Sequence, residues 1–413
     1  MKKASIISIG NEVLSGQTVD TNAAYISRKL LSIAIPVVSS YTVGDNIDSI
    51  VRALKLASSD ADVVLATGGL GPTDDDVTRE AFSEFLGVEL ELQNELLQKI
   101  QDFFYRRNLQ MPEKTKVQAY IPIGARALAN NLGTAPGFAA LIKDKLLIAM
   151  PGVPIEMKQM FEESVFAELK RFVPESQQVG IVVRKLRCFG TGESTIAELL
   201  GPLMQRDRNP LINCTAQQGV ITLHIIATAK DKDKAEQMAE EDERLLAELL
   251  GELIYGRGEQ TLAEVVGEKL AQQKKTIAVA ESCTGGTLAK LLTDIPGASR
   301  YFTYGWVTYS NIAKISELGV EADLIEKYGA VSDRTAEAMA RCAKKRAGAD
   351  FAIGITGIAG PTGGSEQKPV GLVYISVNSK EGCEAKRFIM SGDRDSIRFR
   401  AAQTALNMLR LKL

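Results

Sequence analysis

The stretch ADVVLATGGLGPTDDD, Ala61 to Asp76, decides the fold of the first part of the chain. Residues 61–67 form a short apolar run, and glycines at 68, 69 and 71 with Pro72 follow at once, so a buried strand is predicted to end at Thr67 and pass into a loop. Upstream, residues 4–9 and 36–43 read as strands, and residues 22–33 and 47–58 as amphipathic helices. This βαβ rhythm predicts a mainly parallel sheet covered on both faces. Such sheets bind ligands beyond the carboxyl ends of their strands. There the sequence places Gly10-Asn11-Glu12, Gly44-Asp45-Asn46 and the glycine loop from Thr67.

The rest of the chain has two further textures. Residues 179–189 and 220–229 read as strands, with helices at 195–200 and 232–250, which predicts a small α+β unit. Tyr255-Gly256-Arg257-Gly258 reads as a linker into a third block, where helices at 261–272, 284–293 and 395–411 alternate with strands at 276–280 and 350–355. Three α/β or α+β domains are therefore expected, at residues 1–171, 177–251 and 258–413.

Composition removes several classes of function. With 49 basic and 51 acidic side chains in 413 residues, the formal charge of −2 offers no field for coating a polyanion. No run reaches the roughly 18 apolar residues of a membrane span, and Asn11 and Glu12 interrupt the one that follows Lys2 and Lys3. The five cysteines are scattered without a C-x-x-C pair, so reduced thiols and a cytoplasmic protein are expected. One histidine, His224, lies in an alternating strand-like segment, where it reads as a strand residue; any hydrolytic nucleophile then needs another base.

Two clusters carry chemistry. After Thr67, the glycines Gly68, Gly69 and Gly71 open the backbone to a phosphate, and Asp74, Asp75 and Asp76 supply hard oxygen ligands suited to Mg²⁺. The plainer reading is an acidic loop capping the next helix. In the third block, Glu281-Ser282-Cys283-Thr284-Gly285-Gly286 stands where a strand meets a helix, so Ser282 is expected in the field of a helix N-terminus, with amides nearby for an oxyanion or phosphate. Here the plainer reading is N-capping by Ser282 and Thr284. Lys314 early in a short helix, the glycine loop from Thr356 through Gly357 and Gly360, and Arg394 and Arg398 at the last helix complete the parts of an amide hydrolase acting on a phosphorylated substrate. Cys283, beside the serine, competes as nucleophile if the helix terminus lowers its pKa.

GNEVLSGQ at 10–17, DTN at 20–22, VGDN at 43–46, TGGLGPTDDDVTRE at 67–80, GTAPGF and MPGVPIEM resemble the amino-terminal domain of the competence/damage-inducible CinA family. FGTGESTIAELL at 189–200 resembles its KH-like middle domain, and the segments around Ser282, Tyr309, Gly329 and Thr356 its carboxy-terminal domain. The resemblance implies a molybdopterin-binding-protein-like doubly wound sheet, a KH-like domain and a deamidase domain, assembled as a homodimer. It implies hydrolysis of nicotinamide mononucleotide (NMN) to nicotinate mononucleotide and ammonia by a Ser282/Lys314 dyad without cofactor. Thr284, Gly285, Gly286, Tyr309, Asn311, Thr356, Gly357 and Gly360 would then line the pocket, and Arg394 or Arg398 would meet the 5′-phosphate. For the first domain it implies cleavage of ADP-ribose at its pyrophosphate. Glu12, Thr67, Gly68, Gly69, Gly71 and Glu156 would bind the substrate, and Asp45, Asp74, Asp75 and Asp76 would hold a divalent cation, Mg²⁺, Co²⁺ or Mn²⁺. The chain departs from the family pattern at Asn11, where threonine is expected, and at Gln367, where glutamate precedes Lys-Pro-Val-Gly. The rival expectation is a non-catalytic pterin- or nucleotide-binding protein whose KH-like segment touches nucleic acid. A KH clamp needs G-x-x-G, which Gly190-Thr191-Gly192 does not supply, so nucleic acid is not expected as a partner.

Overall fold

The computed structural model describes residues 2–173 and 180–413. Among them, the strands in chain order are β1 Ala4–Ile9, β2 Val37–Val43, β3 Val63–Thr67, β4 Leu90–Leu92, β5 Tyr120–Pro122, β6 Arg126–Leu128, β7 Gly137–Ile142 and β8 Lys145–Met150. They are followed by β9 Gly180–Phe189, β10 Leu211–Gln217, β11 Val220–Ala229, β12 Ile254–Arg257, β13 Ile277–Glu281, β14 Phe302–Val307, β15 Phe351–Gly357, β16 Leu372–Ser379 and β17 Gly382–Ile389. The residues cluster into two compact bodies: 1–182 with 228–237, and 183–227 with 238–413.

In the first body the main sheet has the order β2-β1-β3-β8-β7-β6. Strands β2, β1, β3 and β8 are parallel, as the βαβ rhythm predicts, while β7 and β6 add an antiparallel edge. The residue alternation within each strand sorts side chains to two cores. Ile7, Ile9, Val64, Ala66, Leu147 and Ala149 pack beneath Leu54, Phe82 and Phe138 on one face. On the other face Ile6, Leu65, Ile148 and Met150 meet Ile26, Leu30 and Phe161. Each of the valine, leucine, isoleucine, methionine and phenylalanine side chains, fully buried, contributes about 1.5–3 kcal/mol of transfer free energy. Two-sided burial is why β1 and β3 read as continuous apolar runs, broken only by Ser5 and Ser8; the Ser8 hydroxyl donates to Asp20 at 2.5 Å.

The second body holds a four-stranded sheet, β10-β11-β9-β12, and a five-stranded sheet, β14-β13-β15-β16-β17. The expected linker at 255–258 is largely a strand instead: β12 pairs antiparallel with β9, and buried Tyr255 receives a hydrogen bond from the Arg187 guanidinium at 3.2 Å. Two glycines in four residues suggested a turn, but the apolar body of Tyr255 holds the segment on the sheet. Part of the expected strand at 179–189, Val179, and the start of the expected domain at Gln177 lie outside the described residues.

In the five-stranded sheet β13 runs parallel to β14 and β15, and β16 and β17 return antiparallel. Ile277 and Val279 face one core and Ala278 and Ala280 the other. A capping box between Thr261 and Glu264 starts the helix Leu262–Gln272, and Asp393 caps Arg394–Arg410. The helix expected from 284 begins only at Thr287. Gly285 and Gly286 sit at φ +57° and +95°, left-handed conformations that turn the chain before a helix can start.

Candidate active sites

The carboxyl end of β13 carries Ser282, whose N–H donates to the Ile355 carbonyl at 3.0 Å, extending the sheet pairing by one residue. Lys314 reaches it from the segment after β14. Ser310 caps the single turn Asn311–Ala313, and Lys314 opens a π-helical turn, Lys314–Leu318. Such turns recur at functional sites because the extra residue redirects a side chain. The Lys314 ammonium nitrogen lies 3.0 Å from Ser282 Oγ, 2.8 Å from the Thr308 carbonyl and 3.3 Å from the Tyr309 carbonyl. Lys314 is only 1% exposed, and that burial pushes its pKa below the usual lysine value.

Both dyad residues open on a cavity of about 300 Å³. Tyr309, Thr356, Gly357 and Gly360 line it as expected, together with Ala330 and Val331. Arg394 is the cavity's arginine, held by the Gly360 carbonyl at 2.7 Å and the Tyr309 hydroxyl at 2.9 Å. Arg398 is not: its guanidinium donates twice to the Thr284 carbonyl, at 2.9 and 3.0 Å, and fastens the nucleophile turn from behind. Asn311 is exposed outside the cavity, and Thr284, Gly285 and Gly286 are not on its wall.

The expected anion site at the helix N-terminus is already filled by the chain. The fully buried Glu281 carboxylate accepts from the amides of Gly286 and Leu288 at 3.0 Å and of Ala289 at 2.8 Å. Glu281 stands in the motif without an evident role; a carboxylate four residues before a Gly-Gly helix start is the signal that points to it. The amides of Cys283 and Thr284 donate to no oxygen among the described residues. Burial pushes the Cys283 thiol up to about 12, opposite to the shift its position suggested. It is therefore a packed thiol at neutral pH.

In the first body the strand ends frame a cleft of about 550 Å³. Glu12, Gly68, Gly69, Gly71, Asp45, Asp75, Asp76 and Glu156 all line it. Burial, then the negative charges of Glu12, Asp75 and Asp76, raise the Asp45 pKa, even though the Asn11 amide donates to it at 2.8 Å. Asp76 accepts from the Thr73 amide at 2.9 Å. Asp74 is not part of this set: 89% exposed, its carboxylate faces away to Lys114 at 3.0 Å. Thr67 lies just beneath the cleft, donating to the Pro151 carbonyl and accepting from Asn22. Among the described residues no three carboxylate, histidine or cysteine side chains are gathered as a ready chelate. The set fits a hard cation only if substrate phosphates supply further ligands, the usual mode for Mg²⁺.

Buried Arg79 escaped the sequence reading because it resembles a solvated helix residue. Its guanidinium donates to the Leu70 and Gly71 carbonyls, both at 2.7 Å, and fixes the glycine loop. The loop also needs Gly68, which sits at φ +112° with the Ile9 carbonyl where a Cβ would go. Gly68→Ala is expected to destabilise the first body by about 3 kcal/mol. Calorimetric unfolding that matches wild type would show that the loop adapts.

Comparison with known proteins divides the chain into three segments. A CinA-like protein of Kosmotoga olearia is 43% identical over 411 residues, covering 100% of this chain and 99% of that one. A protein named as competence-damage inducible from Caldicellulosiruptor saccharolyticus is 44% identical over 407 residues, 98% of each chain. The chain belongs to the CinA family. Family models described as "Probable molybdopterin binding domain", "Damage-inducible protein CinA KH domain" and "CinA C-terminal domain" match residues 5–171, 183–256 and 259–413 of the CinA chain. A crystal structure of a CinA protein from Thermoplasma acidophilum matches with 35% identity, 42% of this chain, 98% of that chain and a TM-score of 0.38. His224 of this CinA chain stays a strand residue on β11, with Nε2 3.1 Å from Thr215 Oγ1, and lines neither cavity. No helix among the described residues is long and apolar enough to cross a membrane.

Proposed function

We propose that the CinA chain hydrolyses the carboxamide of NMN, giving nicotinate mononucleotide and ammonia. The observation that carries this reading is the 3.0 Å contact between Ser282 Oγ and the buried amine of Lys314. A neutral Lys314 can give its two N–H groups to the Thr308 and Tyr309 carbonyls and turn its lone pair to the serine hydroxyl. Ser282 Oγ then attacks the amide carbon as its proton passes to Lys314. The amide of Cys283, a residue that lines the cavity, donates to no oxygen among the described residues and is the donor that would meet the oxyanion. When the C–N bond breaks, Lys314 returns the proton to the leaving nitrogen and ammonia departs. Water next attacks the ester, giving a proton to Lys314, and the acid leaves as Ser282 regains its hydrogen. Arg394 would meet the 5′-phosphate. Ammonia release from NMN tests the reading. Ser282→Ala is expected to lose about 10³-fold or more of turnover while Cys283→Ala keeps most of it. The reverse pattern moves the nucleophile to the thiol.

A second reading concerns the carboxylate-lined cleft, favoured by Asp45, Asp75 and Asp76 all lining it beside glycine-rich strand ends. There the chain would cleave the pyrophosphate of ADP-ribose. A divalent cation, once bound with substrate, would neutralise phosphate charge and polarise the phosphorus centre. Asp45, Asp75 and Asp76 would hold it, and the open backbone at Gly68 and Gly69 would admit the phosphates.

A further inference from the structure

The turn that follows Ser282 is held by a guanidinium that is not on the cavity wall. Arg398 lies one helical turn beyond Arg394 and donates to the Thr284 carbonyl from Nε at 3.0 Å and from Nη2 at 2.9 Å. Its Nη1 stands 3.7 Å from the Asp395 carboxylate, which is 91% exposed, so water screens that pair. The guanidinium also packs on Gly285, where a Cβ would come within 3.1 Å of Nη2. Glycine at 285 therefore makes room for the arginine as well as for the left-handed backbone. The Thr284 carbonyl accepts from the Thr287 hydroxyl at 2.7 Å and the Thr287 amide at 3.2 Å besides. An acceptor given a cationic fork and two neutral donors is strongly polarised.

That polarisation has a path to the reacting bond. The Thr284 carbonyl shares a peptide group with the Gly285 amide, which donates to the Ser282 carbonyl at 3.1 Å. The Ser282 carbonyl in turn shares a peptide group with the Cys283 amide. Cys283 lines the cavity, and its amide donates to no oxygen among the described residues. Two peptide dipoles thus stand head to tail between the Arg398 guanidinium and that N–H. Hydrogen bonds in such a chain strengthen one another, and a cation at its head makes the last N–H a better donor. The buried Glu281 carboxylate, next to Ser282 in the chain, opposes any negative charge that develops there, and a cation on the same turn offsets it.

We propose that Arg398 is a positioning residue for oxyanion stabilisation: through the peptide groups that carry the Gly285 and Cys283 amides, it orients and polarises the N–H that meets the carbonyl oxygen of the substrate amide. The assignment rests on the Ser282/Lys314 deamidase reading for the reaction it serves. It also divides the labour of two arginines, with Arg394 on the cavity wall and Arg398 acting from behind the nucleophile turn.

Kinetics and NMR on the full chain test it. Arg398→Gln, which keeps a neutral donor and loses the charge, is expected to lower kcat for ammonia release from NMN about tenfold at unchanged KM, as removal of an interaction made only in the transition state does. Arg398→Lys, which restores a cation without the fork, is expected to come within about threefold of wild type. A chain labelled with ¹⁵N only at cysteine gives one amide signal for each of its five cysteines, and the signal missing from Cys283→Ala identifies the one in the turn. In Arg398→Gln that signal is expected to move upfield while the remaining signals stay in place. An unchanged kcat in Arg398→Gln, a loss carried by KM, an Arg398→Lys variant as slow as Arg398→Gln, or an unmoved Cys283 signal would each overturn the assignment. A melting temperature lowered alike in both variants, with the kinetic loss following it, would reduce Arg398 to a fold contact and overturn it as well. Because the amide signal is read without substrate, a chain in which it shifts as expected yet NMN stays intact would refute only the deamidase reading.

Discussion

Lys314→Arg is expected to reduce NMN deamidation by about 10³-fold or more, since a guanidinium keeps its charge in the working pH range and cannot accept the serine proton. Lys314→Met, neutral and of similar length, is expected to be equally inactive and to keep the fold. The pH dependence follows from the sign of the lysine shift. Burial lowers the Lys314 pKa, so the neutral, proton-accepting amine becomes populated below the value of about 10.4 at which a free lysine titrates. Turnover should therefore rise with pH through an ionisation below that value and level off above it. His224→Ala should leave this limb in place, because His224 stands outside the cavity. Near-native turnover in Lys314→Arg would make Lys314 a substrate-binding cation and end its role as base.

Removing divalent cations is expected to abolish ADP-ribose cleavage and leave ammonia release from NMN intact. The carboxylates of Asp45, Asp75 and Asp76 cannot receive a pyrophosphate without an intervening positive charge, whereas the Ser282/Lys314 cavity has its own donors. Mg²⁺, Co²⁺ or Mn²⁺ should restore cleavage after chelation. Asp76→Asn should be at least about 10²-fold impaired, while Asp74→Asn, altering a side chain that faces Lys114, should behave as wild type. Deamidation lost with chelator and regained with metal would remove the division between the two sites.

The inner strands β1, β3, β13 and β15 were legible because they are buried on two sides. The apolar run at 61–67 followed by Gly68-Gly69 could hardly be read otherwise, and β3 ends at Thr67. The segment at 255–258 was misread because strand pairing of Tyr255 depends on β9, far away in sequence. Within the third domain the chain order named Ser282 and Lys314, but side-chain direction decided the rest. Arg394 and Arg398 are one helical turn apart and identical in the sequence reading, yet one reaches Gly360 in the cavity and the other the carbonyl of Thr284. Asp74 and Asp76 differ in the same way. A run of like residues shows that a site has carboxylates or cations to draw on, and only backbone geometry selects which of them arrive.

Glu281 gives the Ser282/Lys314 cavity a selectivity of its own. A helix N-terminus beside a nucleophile ordinarily attracts whatever phosphate or nucleotide is abundant. Here three of its amides are closed from within by a carboxylate the solvent cannot reach. On the proposed reading, recognition of phosphate would fall instead to Arg394 on the cavity wall. A bare anion arriving beside Ser282 finds those three amides already occupied. On the proposed reading, a productive molecule would present an amide to Ser282 and a negative charge to Arg394, and the resident anion would thereby act as a ruler for substrate length.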